Sequence, residues 1–296
     1  MRIGYACMNN SVGCTSASTF RLSSWSENRF KETVRHNLAC LGRILQWNIE
    51  NGIYFFRITS DLVPFASHPI CSVDWQSVFS EEFARIGRFL TDNRIRVSMH
   101  PGQYTVLNSN RVDVVQRSIL ELEYHADVLD LINQGTDAKI VLHVGGVYGD
   151  KPKAIDRFVQ TYQNLSDSIQ CRLIIENDER SYTVQDCHTI YESTGIPIVV
   201  DNLHHEANNS GESFISAFDI VKETWRTKDG VPIIHYSSQE YDGRLGKHAE
   251  AIDARHFKSF LHSLRKYEID VMLEVKDKEK SAIKAMQIAK QIENSS

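Results

Sequence analysis

The chain has 296 residues, 42% of them hydrophobic and 24% charged, a composition that can bury a sizeable core. A formal charge of −5 argues against broad electrostatic capture of nucleic acid, though not against a locally positive site or bound cations that the count omits. No apolar run approaches the ~18 residues of a membrane helix, so no membrane partner is expected. The start, Met1-Arg2-Ile3-Gly4-Tyr5-Ala6-Cys7, enters a strand pattern with no apolar leader, and an intracellular protein, cytoplasmic or nucleoid, is expected.

Strand-like runs follow one another at residues 2–6, 53–58, 95–99, 139–144, 172–175, 198–200, 232–236 and 269–273. Helical spacing fills the gaps, with stripes at Phe30, Val34, Leu38, Leu41 and Leu45, then Val112, Val115, Ile119, Leu122, Ala126 and Leu129, then Ile155, Phe158, Tyr162, Leu165 and Ile169. Ser80 and Asn110 read as N-caps. Strict alternation with buried-looking strands predicts an α/β fold, a parallel (β/α)8 TIM barrel. An open doubly wound sheet is the alternative, and it lacks the glycine-rich phosphate loop it would need. No linker or composition shift divides the chain, so 1–296 is expected to be one catalytic domain. Six cysteines (Cys7, Cys14, Cys40, Cys71, Cys171, Cys187) form no CxxC pair, which favours reduced thiols over disulfides, a loop contact of Cys7 with Cys14 being the minor alternative.

In such a barrel the strand C-termini build the site. There the sequence offers His100, His143, Glu176, Asp201, His235 and Glu274, and neighbouring loops add His68, His204 and His248. Three carboxylates at one mouth repel, a pair ~4 Å apart costing on the order of 4 kcal/mol at an effective dielectric of ~20, so cations must neutralise them. Mixed histidine and carboxylate donors suit manganese, zinc or iron(II), and so many candidates imply two or three ions, an arrangement that suits phosphodiester hydrolysis. His36, His125, His188, His256 and His262 fall in helices and read as surface or packing residues, with His205 a demoted second candidate; Asp127, Asp178 and Glu179 read as solvated or capping. Arg21, Lys151, Lys153, Arg180, Arg244 and Lys247 are the basic residues of the rim loops.

The stretches Gly4-Tyr5-Ala6-Cys7 with Asn9, Arg57-Ile58-Thr59-Ser60-Asp61, His68-Pro69, Ser98-Met99-His100-Pro101-Gly102-Gln103-Tyr104, His143-Val144-Gly145-Gly146, Ile175-Glu176-Asn177-Asp178, Asp201-Asn202-Leu203-His204-His205 and His235-Tyr236-Ser237-Ser238-Gln239 together resemble the UV damage endonuclease family. The resemblance implies a DNA repair enzyme on a TIM barrel that nicks damaged duplex DNA 5′ of cyclobutane pyrimidine dimers and 6-4 photoproducts, leaving 3′-hydroxyl and 5′-phosphate, with no obligatory protein partner. It implies that His100, His143, Glu176, Asp201, His204, His235, His248 and Glu274 hold divalent ions, manganese foremost. Glu176, His235 and His68 act in catalysis, His68 as a ligand or phosphate contact. Gln103 and Tyr104 match a pair that probes the duplex, where a lesion that weakens stacking lowers the cost of extrusion. Tyr5 and Asn9 match residues lining the pocket for the flipped dimer. One departure is Ile233, where some members carry a lysine that can be carboxylated; the N-terminal extension of some fungal relatives is also missing, as expected of a bare catalytic domain. Alternatives are an abasic-site endonuclease of the endonuclease IV type, a metal-dependent sugar isomerase or epimerase, and a non-catalytic metal-binding protein.

Overall fold

The computed structural model describes residues 1–294. Strands β1 (Ile3–Ala6), β2 (Phe55–Ile58), β3 (Arg96–Met99), β4 (Lys139–His143), β5 (Leu173–Glu176), β6 (Ile198–Asp201), β7 (Ile233–Tyr236) and β8 (Asp270–Leu273) pair in parallel in chain order, and β8 pairs back onto β1. Around this closed barrel run α1 (Glu27–Glu50), α2 (Trp75–Val78), α3 (Ser80–Asp92), α4 (Val112–Leu131), α5 (Lys151–Gln163), α6 (Asp167–Gln170), α7 (Val184–Thr194), α8 (Asn202–Ala207), α9 (Phe214–Lys222), α10 (Ala254–Leu264) and α11 (Glu279–Glu293). The fold is the TIM barrel that the alternation predicts, each predicted strand being present with its ends adjusted.

Strand side chains alternate between two environments. One parity, including Tyr5, Phe56, Val97, Ile140, Ile175, Val200, Ile234 and Val271, joins the apolar stripes of the helices in the large outer core. The other faces the barrel axis in layers. The middle layer is apolar, formed by Ala6, Phe55, Val141, Ile174, Val199, Ile233 and Met272. Gly4 lets β1 approach β2, since a Cβ there would lie 2.4 Å from the Phe55 carbonyl oxygen. Below this layer Arg96 on β3 meets Asp270 on β8 at 2.9 Å, and Lys139 on β4 meets Asp229 at 2.6 Å, both pairs buried. Above it, one step of two residues further along each strand, stand Arg57, His143, Glu176, Asp201, His235 and Glu274, with His100 closing β3 on the same parity.

Three local expectations need correction. Cys14 and Cys40 form a disulfide, their Cα atoms 6.0 Å apart, because α1 carries Cys40 beneath the β1–α1 loop; sequence spacing cannot show this. Cys7 is a free thiol. Neither expected N-cap acts as one: α2 runs almost directly into α3, making Phe79 the cap position before Ser80, and α4 is preceded by Arg111, whose N–H is taken by the Ser109 hydroxyl. Among the described residues no helix is long and apolar enough to cross a membrane.

The lower ion pairs supply the first test. Asp270→Ala strands Arg96, whose side chain is 2% exposed, and should cost on the order of 3 kcal/mol in urea unfolding, whereas a substitution at exposed Asp113 should cost under about 0.5 kcal/mol.

Candidate metal centre

Strand ends, the first turn of α8 and two loops deliver the donors. Glu176, wholly buried at the end of β5, is common to three sets whose ligand atoms lie within 4.8 Å of one another: His100, His143 and Glu176; Glu176, Asp201 and His204; Glu176, His235 and Glu274. The imidazoles surround it, with ring centroids 5.2 Å apart for His100 and His143, 5.5 Å for His143 and His204, and 6.3 Å for His100 and His235. Asp201 does two jobs. Its Oδ1 caps α8 by accepting the His204 N–H at 2.8 Å, which brings His204 onto the same centre, while Oδ2 is buried without a hydrogen-bond partner among the described residues.

The hydrogen bonds around the rings test whether cations fit. His100 Nδ1 lies 3.0 Å from the Pro101 carbonyl, His204 Nδ1 3.0 Å from that of Asn177, and His248 Nδ1 2.6 Å from that of Glu274. A carbonyl only accepts, so Nδ1 donates in each ring and Nε2 is left as the nitrogen that can bind a cation in place of a proton, the arrangement by which outer partners orient metal-binding histidines. His143 Nδ1 is buried without a partner. An orphaned carboxylate oxygen and imidazoles oriented by main-chain carbonyls, beside two wholly buried carboxylates and a third nearly so, fit a divalent-metal site of mixed nitrogen and oxygen donors.

Electrostatics point the same way. Burial alone would raise Glu176, but His235 and His143, with hydrogen bonds from His100 and His235, hold it well below the usual carboxylate range. Burial likewise opposes Glu274, which Arg57 and then His235 bring down. Asp201 goes the other way, raised by burial and by Glu176 and Glu274 despite His204. His204 is pushed up to about 9 because Asp201, Glu176 and Glu274 outweigh its burial.

Arg57, quoted above only as part of a motif, belongs to this centre. Its Nη1 lies 2.6 Å from Glu274 Oε1, and its Nη2 donates to His235 Nε2 at 2.8 Å. Guanidinium has no acceptor, so Nε2 of His235 accepts, and Nδ1 faces Glu176 Oε1 at 2.6 Å and Glu274 Oε1 at 3.2 Å. The signal was its parity, two residues after inward-facing Phe55.

Other expected residues fall at varied distances from the centre. His248 belongs to none of the three sets but flanks them, its ring 6.2 Å from that of His204. His68 also lies outside the sets, exposed, on the wall of a cleft of about 750 Å3 that includes Cys7, Met8, Ser60, Asp61, His100 and Tyr104. Gln103 and Tyr104 are exposed, Tyr104 by 81%. Tyr5, expected with Asn9 to line a pocket, is buried on the outer face of β1, donating to Asn48 Oδ1 at 2.6 Å and accepting from Asn9 Nδ2 at 2.8 Å. Asn9 is 3% exposed and accepts the N–H groups of Ser11 and Val12, so the pair shapes the β1 loop that carries Cys7 and Met8. His125 is buried packing, and its Nε2 meets Ser60 Oγ, which donates to the His100 carbonyl. His205 faces Glu212 instead of the centre. Asp178 caps a turn, accepting from Arg180, Ser181 and Tyr182. Lys151, Lys153, Arg180 and Lys247 sit in ion pairs, whereas Arg21 and Arg244 are in none among the described residues.

Fold and site together define a TIM barrel with a histidine and carboxylate centre at its mouth. Among known proteins, the family described as UV-endonuclease UvdE matches residues 1–295. The chain is 40% identical over 294 residues to the UV DNA damage endonuclease of Clostridium perfringens (strain 13 / Type A), covering 99% of this chain and 71% of that one. The crystal structure of SacUVDE matches with a TM-score of 0.95 at 45% identity over 99% of each chain. Endonuclease IV from Thermus thermophilus matches at 0.62 and 14% identity over 99% of this chain and 100% of its own, a likeness of fold alone. This chain belongs to the UV-endonuclease UvdE family. It is a DNA repair endonuclease.

Arg57→Leu removes the donor to His235 and the cation beside Glu274. With its cation gone, Glu274 is left nearly buried and unpaired, so the variant should lose on the order of 3 kcal/mol in urea unfolding of the metal-free protein, and Arg57→Lys should recover part of the loss.

Proposed function

We propose that this endonuclease hydrolyses the phosphodiester immediately 5′ of UV photolesions, cyclobutane pyrimidine dimers and 6-4 photoproducts, leaving a 3′-hydroxyl and a 5′-phosphate. The observation that carries this reading is the double position of His100, which belongs to one of the donor sets around Glu176 and also lines the cleft at whose lip Tyr104 stands. A phosphate held at the centre therefore places its neighbouring nucleotides at that cleft. The name of the Clostridium relative, UV DNA damage endonuclease, supports the same substrate.

His100, His143, Glu176, Asp201, His204, His235, His248 and Glu274 would hold two or three divalent ions, manganese first and zinc the alternative. Such ions supply Lewis acidity toward the phosphate and leaving oxygens and lower the pKa of the attacking water. Glu176 shares its two carboxylate oxygens among the donor sets, and Arg57 holds His235 and Glu274 in place from β2. His68 contacts a phosphate from the cleft wall. Gln103 and Tyr104 enter the duplex where the lesion has weakened stacking, the planar ring filling the gap left by the extruded dimer. Tyr5 and Asn9 fix the β1 loop as one wall of the cleft.

End-labelled duplexes carrying one photodimer, one abasic site or no damage, incubated with manganese or with chelator, test the reading. The expected product is a manganese-dependent cut directly 5′ of the dimer; cutting at the abasic site alone would replace it with the endonuclease IV activity. Glu176→Gln should lower the rate by at least about 10^2-fold with the fold retained. Tyr104→Ala should reduce preference for damaged over undamaged duplex about tenfold, the scale of one lost stacking contact.

A further inference from the structure

The β7–α10 loop carries a second exposed aromatic tip that the proposed mechanism does not use. Tyr241 is 91% exposed and Leu245 62% exposed, and between them stands exposed Arg244. Exposed apolar side chains scattered singly are ordinary, but this tip is built. Gln239 and His248 form an antiparallel bridge, Glu240 N–H donates to the Lys247 carbonyl at 2.8 Å, and Ala249 N–H to that of Ser238 at 2.8 Å. Inside the turn the Gln239 amide donates to the Arg244 carbonyl at 2.9 Å and accepts the Gly246 N–H at 2.9 Å. Glu240 binds both Lys247 and Lys276, tying the turn to the segment after β8. The backbone is thus held from within while the two apolar side chains project.

The place of this tip follows from topology. In a closed barrel of eight strands in chain order, β3 and β7 stand opposite each other across the axis. Tyr104 follows β3 and Tyr241 follows β7, with the donor sets around Glu176 between them. The base of the hairpin is itself a wall of the centre, since His248 Nδ1 donates to the Glu274 carbonyl at 2.6 Å. A duplex laid across the mouth to reach the centre therefore meets Tyr104 on one side and the Tyr241 tip on the other.

We propose that the hairpin tip is a second DNA-contact element, with Tyr241 and Leu245 lying against the substrate's flank opposite Tyr104 and Arg244 on its phosphates. Substrate duplex is the occupant because it must bridge the two loops and because Arg244 offers a cation that no carboxylate of the described residues neutralises. The inference rests on the proposed function. It assigns Tyr241 to grip and register, and Tyr104 to lesion probing.

Photocrosslinking tests it. Tyr241→p-benzoylphenylalanine in the full chain, irradiated with manganese and a duplex carrying one photodimer, should crosslink within a few nucleotides on one flank, distinct from the position reached by Tyr104→p-benzoylphenylalanine. Tyr241→Ala should raise KM for the damaged duplex about tenfold, and Arg244→Ala should flatten the rise of KM with salt, both effects falling on KM and not on kcat. Absence of DNA crosslinks from position 241 while position 104 crosslinks, or an unchanged KM, overturns the inference and leaves the proposed function standing. Failure of the wild-type chain to nick the dimer duplex overturns the proposed function itself.

Discussion

Three carboxylates meet at one end of a closed barrel, Glu176 and Asp201 wholly buried and Glu274 nearly so. Left alone, charges so placed would repel by several kcal/mol per close pair and lose their hydration as well. The surrounding structure answers that constraint residue by residue. Arg57 crosses from β2 to Glu274, His235 lies between Glu176 and Glu274, and His100, His143 and His204 close on Glu176. What stays unanswered is informative: among the described residues Asp201 Oδ2 has no hydrogen-bond partner, and three histidines have Nδ1 tied to carbonyls, which leaves Nε2 as the nitrogen for a cation. That oxygen and those nitrogens are what the fold leaves for a cation.

The barrel interior makes this possible by stratification. Below the centre lies the apolar layer from Ala6 to Met272, and below that the Arg96–Asp270 and Lys139–Asp229 pairs. Charge is thereby confined to two separate levels, and the oily layer between keeps the lower pairs from competing for the upper carboxylates. It also fixes the rotamers above, because a packed interior tolerates little displacement. Loops then carry what must vary or move, and the rim collects exposed Met8, Tyr104, Tyr241 and Leu245 around a rigid ligand ring.

Much of this was legible in the sequence because period two is strict in a strand. A histidine or carboxylate at the end of a run, on the parity of the interior residues, has one place to go, which is why His100, His143, Glu176, Asp201, His235 and Glu274 converge as expected. The same rule places Arg57, overlooked because a cation does not look like a ligand, and it places Tyr5 on the opposite parity, against α1. Residues in loops obey no such rule. His68 and His248 reached the neighbourhood but not the donor sets, and the Cys14–Cys40 disulfide joins segments whose proximity only the folded α1 creates.

Ile233 shows how the layers constrain chemistry. It is 1% exposed, one inward step below His235, and belongs to the apolar layer. A lysine at that position would have to thread its amine upward past His235 to reach the carboxylates, and in carboxylated form it would bring a further negative charge to a centre that already holds three. With isoleucine the layer is closed, and among the described residues the non-histidine charge paired with these carboxylates is the positive one of Arg57. The centre of this chain is therefore less negative than one with a carboxylated lysine, and its hold on cations depends correspondingly more on the histidine nitrogens, whose orientation the main-chain carbonyls of Pro101, Asn177 and Glu274 enforce.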